Sequence, residues 1–221
     1  MSDRQAFYPE TRTREDLLKR RWNPRSTSPG DAVPIPSRAG ITEPRPTNIY
    51  AATKLAQEHI LAAWTAATGT ALSVLRLQNV YGPGQSLINS YTGVLALFAR
   101  LAVSQQPIDL YEDGSAVRDF VYIDDVTQAI VNTLAATPDR TRLIDIGSGV
   151  ATTLAAVAEV MIALEKAPAC LVSGKFREGD VRAASCDITA AKSEIGYEPT
   201  YDLETGLIKL LDWVRVELDP S

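Results

Sequence analysis

Ala71-Leu72-Ser73-Val74-Leu75-Arg76-Leu77 is the run of residues that decides the fold of this chain of 221 residues. It is almost continuously apolar, which is typical of a parallel strand that is covered on both faces. Gln78-Asn79-Val80-Tyr81-Gly82-Pro83-Gly84 follows it and is expected to be a loop at the carboxyl end of the strand. Ligands of open α/β sheets bind at that edge, so residues 78–84 are a candidate ligand loop. A tight turn that only joins the strand to a helix explains the same residues equally well.

Outward from this strand, the hydrophobic patterns alternate between strands and helices, which predicts an α/β protein. Helices are predicted over residues 48–69, 93–104, 124–136, 153–165, 189–196 and 202–216. Further strands are predicted over residues 108–111, 117–122, 143–146 and 170–173. Gly69 and Gly196 are expected to end two of these helices, and Asp124 or Asp125 is expected to cap a third.

Residues 1–47 differ from the rest because they are rich in charge and proline. We expect them to form an extended surface segment with one short helix near residues 14–21, unable to pack a core by itself.

Composition excludes several classes of protein. The formal charge of −5 gives no basic surface for nucleic acid, and no apolar run approaches the roughly 18 residues that cross a bilayer. The two cysteines, Cys170 and Cys186, lack CxxC spacing and are expected to be reduced thiols of a cytoplasmic protein. His59 is the single histidine, so a metal site or a catalytic triad built on histidine is not expected.

Tyr50 and Lys54 are candidate catalytic residues at the start of the helix over residues 48–69. Their i,i+4 spacing places both side chains over the same turn. A phenol has a pKa near 10, and a neighbouring cation stabilises its phenolate, so such a tyrosine can carry the proton in the oxidation of an alcohol. A separate apolar stripe on this helix is expected to be buried and consists of Ile49, Ala52, Ala56, His59, Ile60 and Ala63.

Charged residues in two other segments could bind an anionic ligand. Arg118 could clamp a phosphate, or it could simply pair with Asp119 or Glu112. The segment 177–182, which contains Arg177 and Asp180, could act in the same way or be a solvated loop. Gly147-Ser148-Gly149 follows a strand as a dinucleotide-binding turn does, but Thr152 replaces the third glycine, so we predict a purely structural turn.

In this order and spacing, the motifs resemble the extended short-chain dehydrogenase/reductase family. Within it they are similar to the NAD-dependent nucleotide-sugar epimerases and dehydratases, and most of all to dTDP-sugar (rhamnose/glucose) 4-epimerases. The segments that carry the resemblance are 50–54, 75–84, 118–125, 132–149, 177–180 and 196–199.

The resemblance implies NAD as cofactor and a dTDP- or UDP-linked sugar as substrate. Tyr50 is implied as the acid/base on the sugar 4-hydroxyl, and Lys54 as the cation that stabilises its phenolate and holds the nicotinamide ribose, with Val80 also at the cofactor. The residues implied to contact the sugar nucleotide are Asn79, Arg118, Arg177 and Asp180. The resemblance further implies that hydride leaves C4 for NAD, that the resulting 4-keto sugar turns over, and that its other face is reduced.

The resemblance also implies the C-terminal part of a Rossmann-type parallel sheet plus a small α/β substrate domain. Residues 48–150 are then a remnant of the sheet interleaved with substrate-domain segments, and residues 151–221 are mainly substrate domain. Nothing in residues 1–47 resembles the family's Gly-x-x-Gly-x-x-Gly turn or its serine before the tyrosine. We therefore expect that the N-terminal cofactor half is missing, that the chain is inactive alone, and that a homodimer or a complementing cofactor half covers it. A 4,6-dehydratase and a non-catalytic truncated remnant that at most binds sugar nucleotides remain alternatives.

Overall fold

The computed structural model describes residues 6–25, 32–89, 93–136 and 140–219. Parts of the predicted regions lie outside the described residues. In the segment 1–47 these are residues 1–5 and 26–31, which include Pro29, and in the substrate domain they are residues 220–221. The helices are α1 (Arg14–Leu18), α2 (Ile49–Thr68), α3 (Val94–Val103), α4 (Ile123–Ala135), α5 (Leu154–Glu165), α6 (Thr189–Ile195) and α7 (Leu203–Leu218). The strands are β1 (Ser73–Leu77), β2 (Asn79–Tyr81), β3 (Asp109–Leu110), β4 (Val117–Tyr122), β5 (Arg142–Ile146), β6 (Ala151–Thr153) and β7 (Leu171–Val172).

The strands pair mostly in parallel, which confirms the predicted α/β class. Strand β1 pairs with β5, β2 pairs with β4, and β3 pairs with β7, all in parallel, whereas β6 pairs with β4 in antiparallel direction. The expectation that residues 78–84 are all loop is wrong, because residues 79–81 form β2. The backbone N–H of Gln78 makes the last bond to Ile146, at 2.8 Å, before the chain changes partner to β4.

Strand β4 joins two hydrophobic cores because its side chains alternate between its two faces. Phe120 and Tyr122 pack with the inner faces of α3, α5 and α7, where Leu95, Met161 and Leu207 are nearly fully buried. Val121, between them, points into the second core beside Ile144 and Tyr197. Strand β4 therefore contributes side chains to both hydrophobic cores.

Helix α2 begins and ends as the sequence predicts, but its predicted buried stripe is exposed. The side chain of Asn48 caps its start, and Gly69 ends it with a φ of 68°. Ile49 is 84% exposed and Ile60 is 67% exposed, and the remaining members of the stripe (Ala52, Ala56, His59 and Ala63) are exposed as well. The described residues therefore leave this face uncovered, and the buried residue of the helix, Thr65, is not a member of the stripe. An apolar stripe predicts which face can be buried, and only a neighbour can bury it.

The predicted cap of α4 is also wrong. Tyr122 occupies the N-cap position without a side-chain bond, and Asp124 and Asp125 lie in the first turn. Asp125 instead accepts hydrogen bonds from the backbone N–H of Thr200 at 2.9 Å and of Tyr201 at 3.2 Å. The carboxylate is used to anchor the loop before α7, a partner 75 residues away that no local pattern indicates.

Most of the described residues of the N-terminal segment are exposed, and the short helix predicted near residues 14–21 is present as α1. It is nevertheless tied to the body of the protein. Leu17 is 2% exposed, and the backbone N–H of Ser37 donates to the carbonyl of Ser185 at 2.9 Å. In the described part of the chain, no helix is long and apolar enough to cross a membrane.

Candidate functional site

The first turn of α2 presents Tyr50 and Lys54 on one side, as their spacing predicts. Asn48 fixes this turn, since its Oδ1 atom accepts a bond of 2.8 Å from the backbone N–H of Ala51. The Nζ atom of Lys54 lies 5.9 Å from the centre of the Tyr50 ring. The Tyr50 side chain is 59% exposed. The two side chains are thus neighbours and open to a ligand, and the ammonium of Lys54 lies within cation–π distance of the Tyr50 ring.

The start of α2 is attached to the loop over residues 177–182. The side chains of Thr47 and Asn48 both donate to the carbonyl of Gly179, at 3.2 and 3.3 Å. Gly179 has a φ of +75°, and a β-carbon there would lie 3.2 Å from the carbonyl oxygen of Thr47. A glycine is therefore suited to this position both by its conformation and by the close approach of the helix start.

The same loop contacts Arg118 through Asp180. The Nη2 atom of Arg118 donates to Oδ1 of Asp180 at 2.8 Å, and Arg118 is 9% exposed. The alternative pairings of Arg118 with Asp119 or Glu112 are wrong. Glu112 is paired with Arg12 and Arg182 instead. Arg118 is therefore a nearly buried cation at the loop that holds the start of α2.

Asp119 is fully buried and binds the turn over residues 147–149. Its carboxylate accepts from the backbone N–H and hydroxyl of Ser148, both at 2.7 Å, and from the N–H of Gly149 at 3.0 Å. A β-carbon on Gly147 would lie 2.5 Å from Oδ2 of Asp119. The donors that a phosphate would need are already bonded to this carboxylate. The predicted structural role of this turn is confirmed.

Asn79 and Val80 lie on β2 beside the strand that carries Arg118. Asn79 is paired with Phe120 and Val80 with Val121, so Asn79 lies about 7 Å along the strand direction from the level of Arg118. Beside them is a pocket of about 20 Å³, lined by residues that include Gln85 and Phe120. A pocket of this size holds one water molecule, so it is not the site of a sugar nucleotide.

Arg177 lies on the same loop as Asp180, with its guanidinium 5.6 Å from the centre of the Tyr111 ring. The structure thus joins Tyr50, Lys54, Arg118, Arg177 and Asp180 through one loop. The contacts of the described residues do not join Tyr50 or Lys54 to Asn79 or Val80. No three His, Cys, Asp or Glu side chains of the described residues are grouped to hold a metal ion.

Sequence reasoning did not identify Thr47, Asn48 or Asp119 as residues that shape this site. Asn48 could have been recognised as a helix cap, because asparagine before an apolar helix is a typical start signal. The bonds of Thr47 and Asn48 to Gly179 span 132 and 131 positions, and no local pattern carries such a signal.

Comparison with known proteins gives concordant matches. The model of the NAD dependent epimerase/dehydratase family matches residues 25–147. The dTDP-L-rhamnose 4-epimerase of Burkholderia thailandensis is 52% identical over 218 residues, covering 99% of this chain and 59% of that protein. UDP-glucuronate 4-epimerase 1 of Arabidopsis thaliana is 30% identical over 211 residues, covering 87% of this chain and 48% of that protein.

Solved structures agree. UDP-glucose 4-epimerase from Thermotoga maritima, bound to UDP-glucose, has a TM-score of 0.72 and 31% identity, over 77% of this chain and 54% of that one. MoeE5 in complex with UDP-glucose and NAD has a TM-score of 0.75 and 30% identity, over 81% of this chain and 60% of that one. The chain therefore spans about half to three fifths of the length of these relatives.

Proposed function

The chain belongs to the NAD-dependent epimerase/dehydratase family, and from that premise we propose that it carries the proton-transfer residues and the nucleotide-sugar site of a 4-epimerase. The substrate is a dTDP-linked sugar, with a UDP-linked sugar as the next candidate. One observation carries this proposal: the loop that holds Asp180 against Arg118 also holds the start of the helix that bears Tyr50 and Lys54. These contacts support the proposal, because they connect the residue proposed to bind phosphate with the helix start that bears the residues proposed to transfer the proton.

Each residue has a distinct role in the proposal. Tyr50 takes the proton of the sugar 4-hydroxyl and later returns it, and Lys54 stabilises the phenolate and holds the nicotinamide ribose beside Val80. Arg118 and Arg177 bind the diphosphate, and Asn79 and Asp180 orient the nucleotide sugar. The 4-keto sugar rotates between the two half-reactions and presents its opposite face, so the same tyrosine serves both faces of C4.

The described residues fit one end of NAD better than the other. Tyr50 and Lys54 form an open pair that suits the nicotinamide ribose. The turn over residues 147–149 does not suit the pyrophosphate, since its N–H groups are bonded to Asp119. When bound, NAD supplies the acceptor and donor of the hydride. We propose that a complementing cofactor half supplies the pyrophosphate site.

Exposed surfaces support the same proposal. Strand β1 is paired on one side by β5, and the described residues place no strand on its other edge. Ile60 and Trp64 of α2 are 67% and 56% exposed. Large apolar side chains and an open strand edge are typical of a surface that another unit covers. We propose a complementing cofactor half as this unit and treat a second copy of the chain as the alternative.

A 4-epimerase is preferred over a 4,6-dehydratase because the relatives from Burkholderia thailandensis, Arabidopsis thaliana and Thermotoga maritima are named as 4-epimerases. The chain alone is proposed to be inactive, which leaves a module that binds sugar nucleotides. Tyr50 is too exposed to keep water from a reacting centre without a further unit.

The test is an assay with dTDP-rhamnose and NAD, read by NMR for the 4-epimer. We expect no turnover by the chain alone, and turnover after co-expression with the part of the Burkholderia thailandensis relative that lies outside the match. Tyr50→Phe should abolish that turnover, while Tyr8→Phe, at a tyrosine of similar exposure, should not. Turnover by the chain alone contradicts the proposed inactivity. Turnover that survives Tyr50→Phe contradicts the role of Tyr50.

A further inference from the structure

Arg12 connects three separate segments of the protein, although it lies in the charged N-terminal segment. Its Nη1 atom donates to the carbonyl of Trp22 at 3.0 Å and to Oε1 of Glu112 at 2.7 Å. Its Nη2 atom donates to the carbonyl of Asp180 at 2.7 Å. Its side chain is 7% exposed, which is unusual for an arginine in a surface segment.

Glu112 is the buried counter-charge of Arg12, and it is shared. Its Oε2 atom accepts from Arg182 at 3.0 Å, and Arg182 also binds Asp113 with two bonds of 2.7 Å. The carboxylate of Glu112 therefore has a second cation beside it. The bond from Arg12 to Asp180 has a neutral backbone carbonyl as its acceptor, so it does not neutralise the charge of Glu112 and has a different role.

The bond to Asp180 acts on the proposed substrate loop at its central point. The carboxylate of Asp180 holds Arg118, and the neighbouring carbonyl of Gly179 holds Thr47 and Asn48 at the start of α2. A shift of the backbone at residue 180 would therefore move both the guanidinium of Arg118 and the turn that bears Tyr50. The N-terminal segment also contacts this loop through Asn23 with Arg182, and the residue just before the loop through Trp22 with Phe176.

We propose that Arg12 is a positioning residue of the nucleotide-sugar site, and that it fixes the loop over residues 177–182 through its bond to the Asp180 carbonyl. This inference rests on the proposed function for its ligand. In this proposal Arg12 acts through the backbone of the loop and not by contact with the ligand. The N-terminal segment thereby sets the position of Arg118 through the loop over residues 177–182.

Arg12→Lys tests this without removing the buried charge. A lysine can pair with Glu112, but its single ammonium cannot reproduce the fork that reaches Trp22, Glu112 and Asp180 together. Amide hydrogen exchange of the full chain, measured by mass spectrometry, should speed up on the order of tenfold in residues 177–182, the effect of one lost charged hydrogen bond. Exchange in α3 should not change. If Arg12 served only to balance the charge of Glu112, Arg12→Lys would exchange like the wild type.

Arg14→Lys is the matched control. Arg14 pairs with Glu178 of the same loop, but their side chains are 68% and 56% exposed. This exposed pair should contribute little, so exchange in the loop should stay as in the wild type. Equal acceleration in Arg14→Lys, no acceleration in Arg12→Lys, or general loss of protection that includes α3 would each overturn the proposal.

A second measurement separates the inference from the proposed function. Titration calorimetry with dTDP should give a dissociation constant about threefold larger for Arg12→Lys, which corresponds to a loop that is in place in about one third of the variant molecules. An unchanged constant beside a loosened loop overturns the positioning role. If the wild type itself fails to bind dTDP, the proposed function fails, and the exchange data alone decide whether Arg12 anchors the loop.

Discussion

Arg118 and Asp180 lie 62 positions apart in the sequence, yet their side chains meet at 2.8 Å. The arginine is nearly buried, and the aspartate side chain is 47% exposed. A cation whose carboxylate partner faces solvent can bind a further anion beside it without first breaking a closed ion pair. This relationship makes Arg118 the central residue of the proposed diphosphate site.

Arg118→Lys should weaken the binding of dTDP by about tenfold, because an ammonium cannot make the two parallel bonds that a guanidinium makes to phosphate oxygens. Titration calorimetry measures the change. Arg215→Lys is the control, since Arg215 pairs with Glu165 and Asp212 on the surface of α5 and α7. Equal affinities of Arg118→Lys and the wild type would show that the diphosphate lies elsewhere.

Gly82→Ala should destabilise the protein far more than Gly84→Ala. Gly82 has a φ of +154°, and a β-carbon there would lie 2.4 Å from Cγ2 of Ile123, whereas Gly84 has a φ of +86° and open space around it. We expect a loss of about 3 kcal/mol or more for Gly82→Ala, from strain and overlap together. For Gly84→Ala we expect about 1–2 kcal/mol from backbone strain alone.

Urea unfolding monitored by circular dichroism gives both values. Similar losses for the two variants would mean that Ile123 moves aside at little cost. The close approach would then not be the reason for a glycine at position 82.

Alkylation should label Cys170 and leave Cys186 unmodified in the folded protein. Cys186 is 1% exposed, and burial together with the nearby carboxylate of Asp119 raises the pKa of its thiol well above the ordinary range. The thiolate is the reactive form, so Cys186 stays unreactive at pH 8. Cys170 is partly exposed.

Mass spectrometry after treatment with iodoacetamide should find one label per chain. Cys170→Ser should then take up no label until urea unfolds it. Labelling of Cys186 in the native Cys170→Ser variant would contradict its burial.

The stability of the N-terminal segment should fall in acid through Asp16. Hydrogen bonds from Arg25 and then Thr13 lower the pKa of Asp16 from 3.8 to about 2. A carboxyl whose pKa is lowered by folding stabilises the folded state fully above its unfolded pKa, and this contribution is lost as the pH falls from about 4 to about 2. The difference in stability between the wild type and Asp16→Asn should therefore be constant above pH 5 and shrink toward pH 2. A difference that stays constant down to pH 2 would show that the ionised carboxylate is not what stabilises the segment.

Much of the fold could be read from local patterns because its elements obey local rules. Asn48 and Gly69 bound α2, Thr153 caps α5, and Gly196 ends α6, all as capping chemistry predicts. The family assignment, confirmed by the comparisons, followed from the order of motifs at family-like spacing. Strand β6 was missed, since three residues carry too little periodicity to be recognised.

The candidate site was predictable only in part. Tyr50 and Lys54 are neighbours because helical geometry makes them so, and their sequence spacing is enough to show it. The partner of Arg118 was not predictable, because the nearest carboxylates in sequence are bound by other groups. Asp119 points to the opposite side of β4 and binds the turn at Ser148.

The sequence by itself determined the α/β class, the ends of α2, the Tyr50–Lys54 pair and the family, since these depend on residues within a few positions of one another or on motif order. The tertiary structure decided which carboxylates bind which cations, how Arg12 and Thr47 reach the loop over residues 177–182, and that the apolar face of α2 is exposed. The physical reason is distance along the chain. Packing and ion pairing join residues that are 62 to 168 positions apart, as in Arg118–Asp180 and Arg12–Asp180. Burial depends on the neighbour that is present as much as on the side chain.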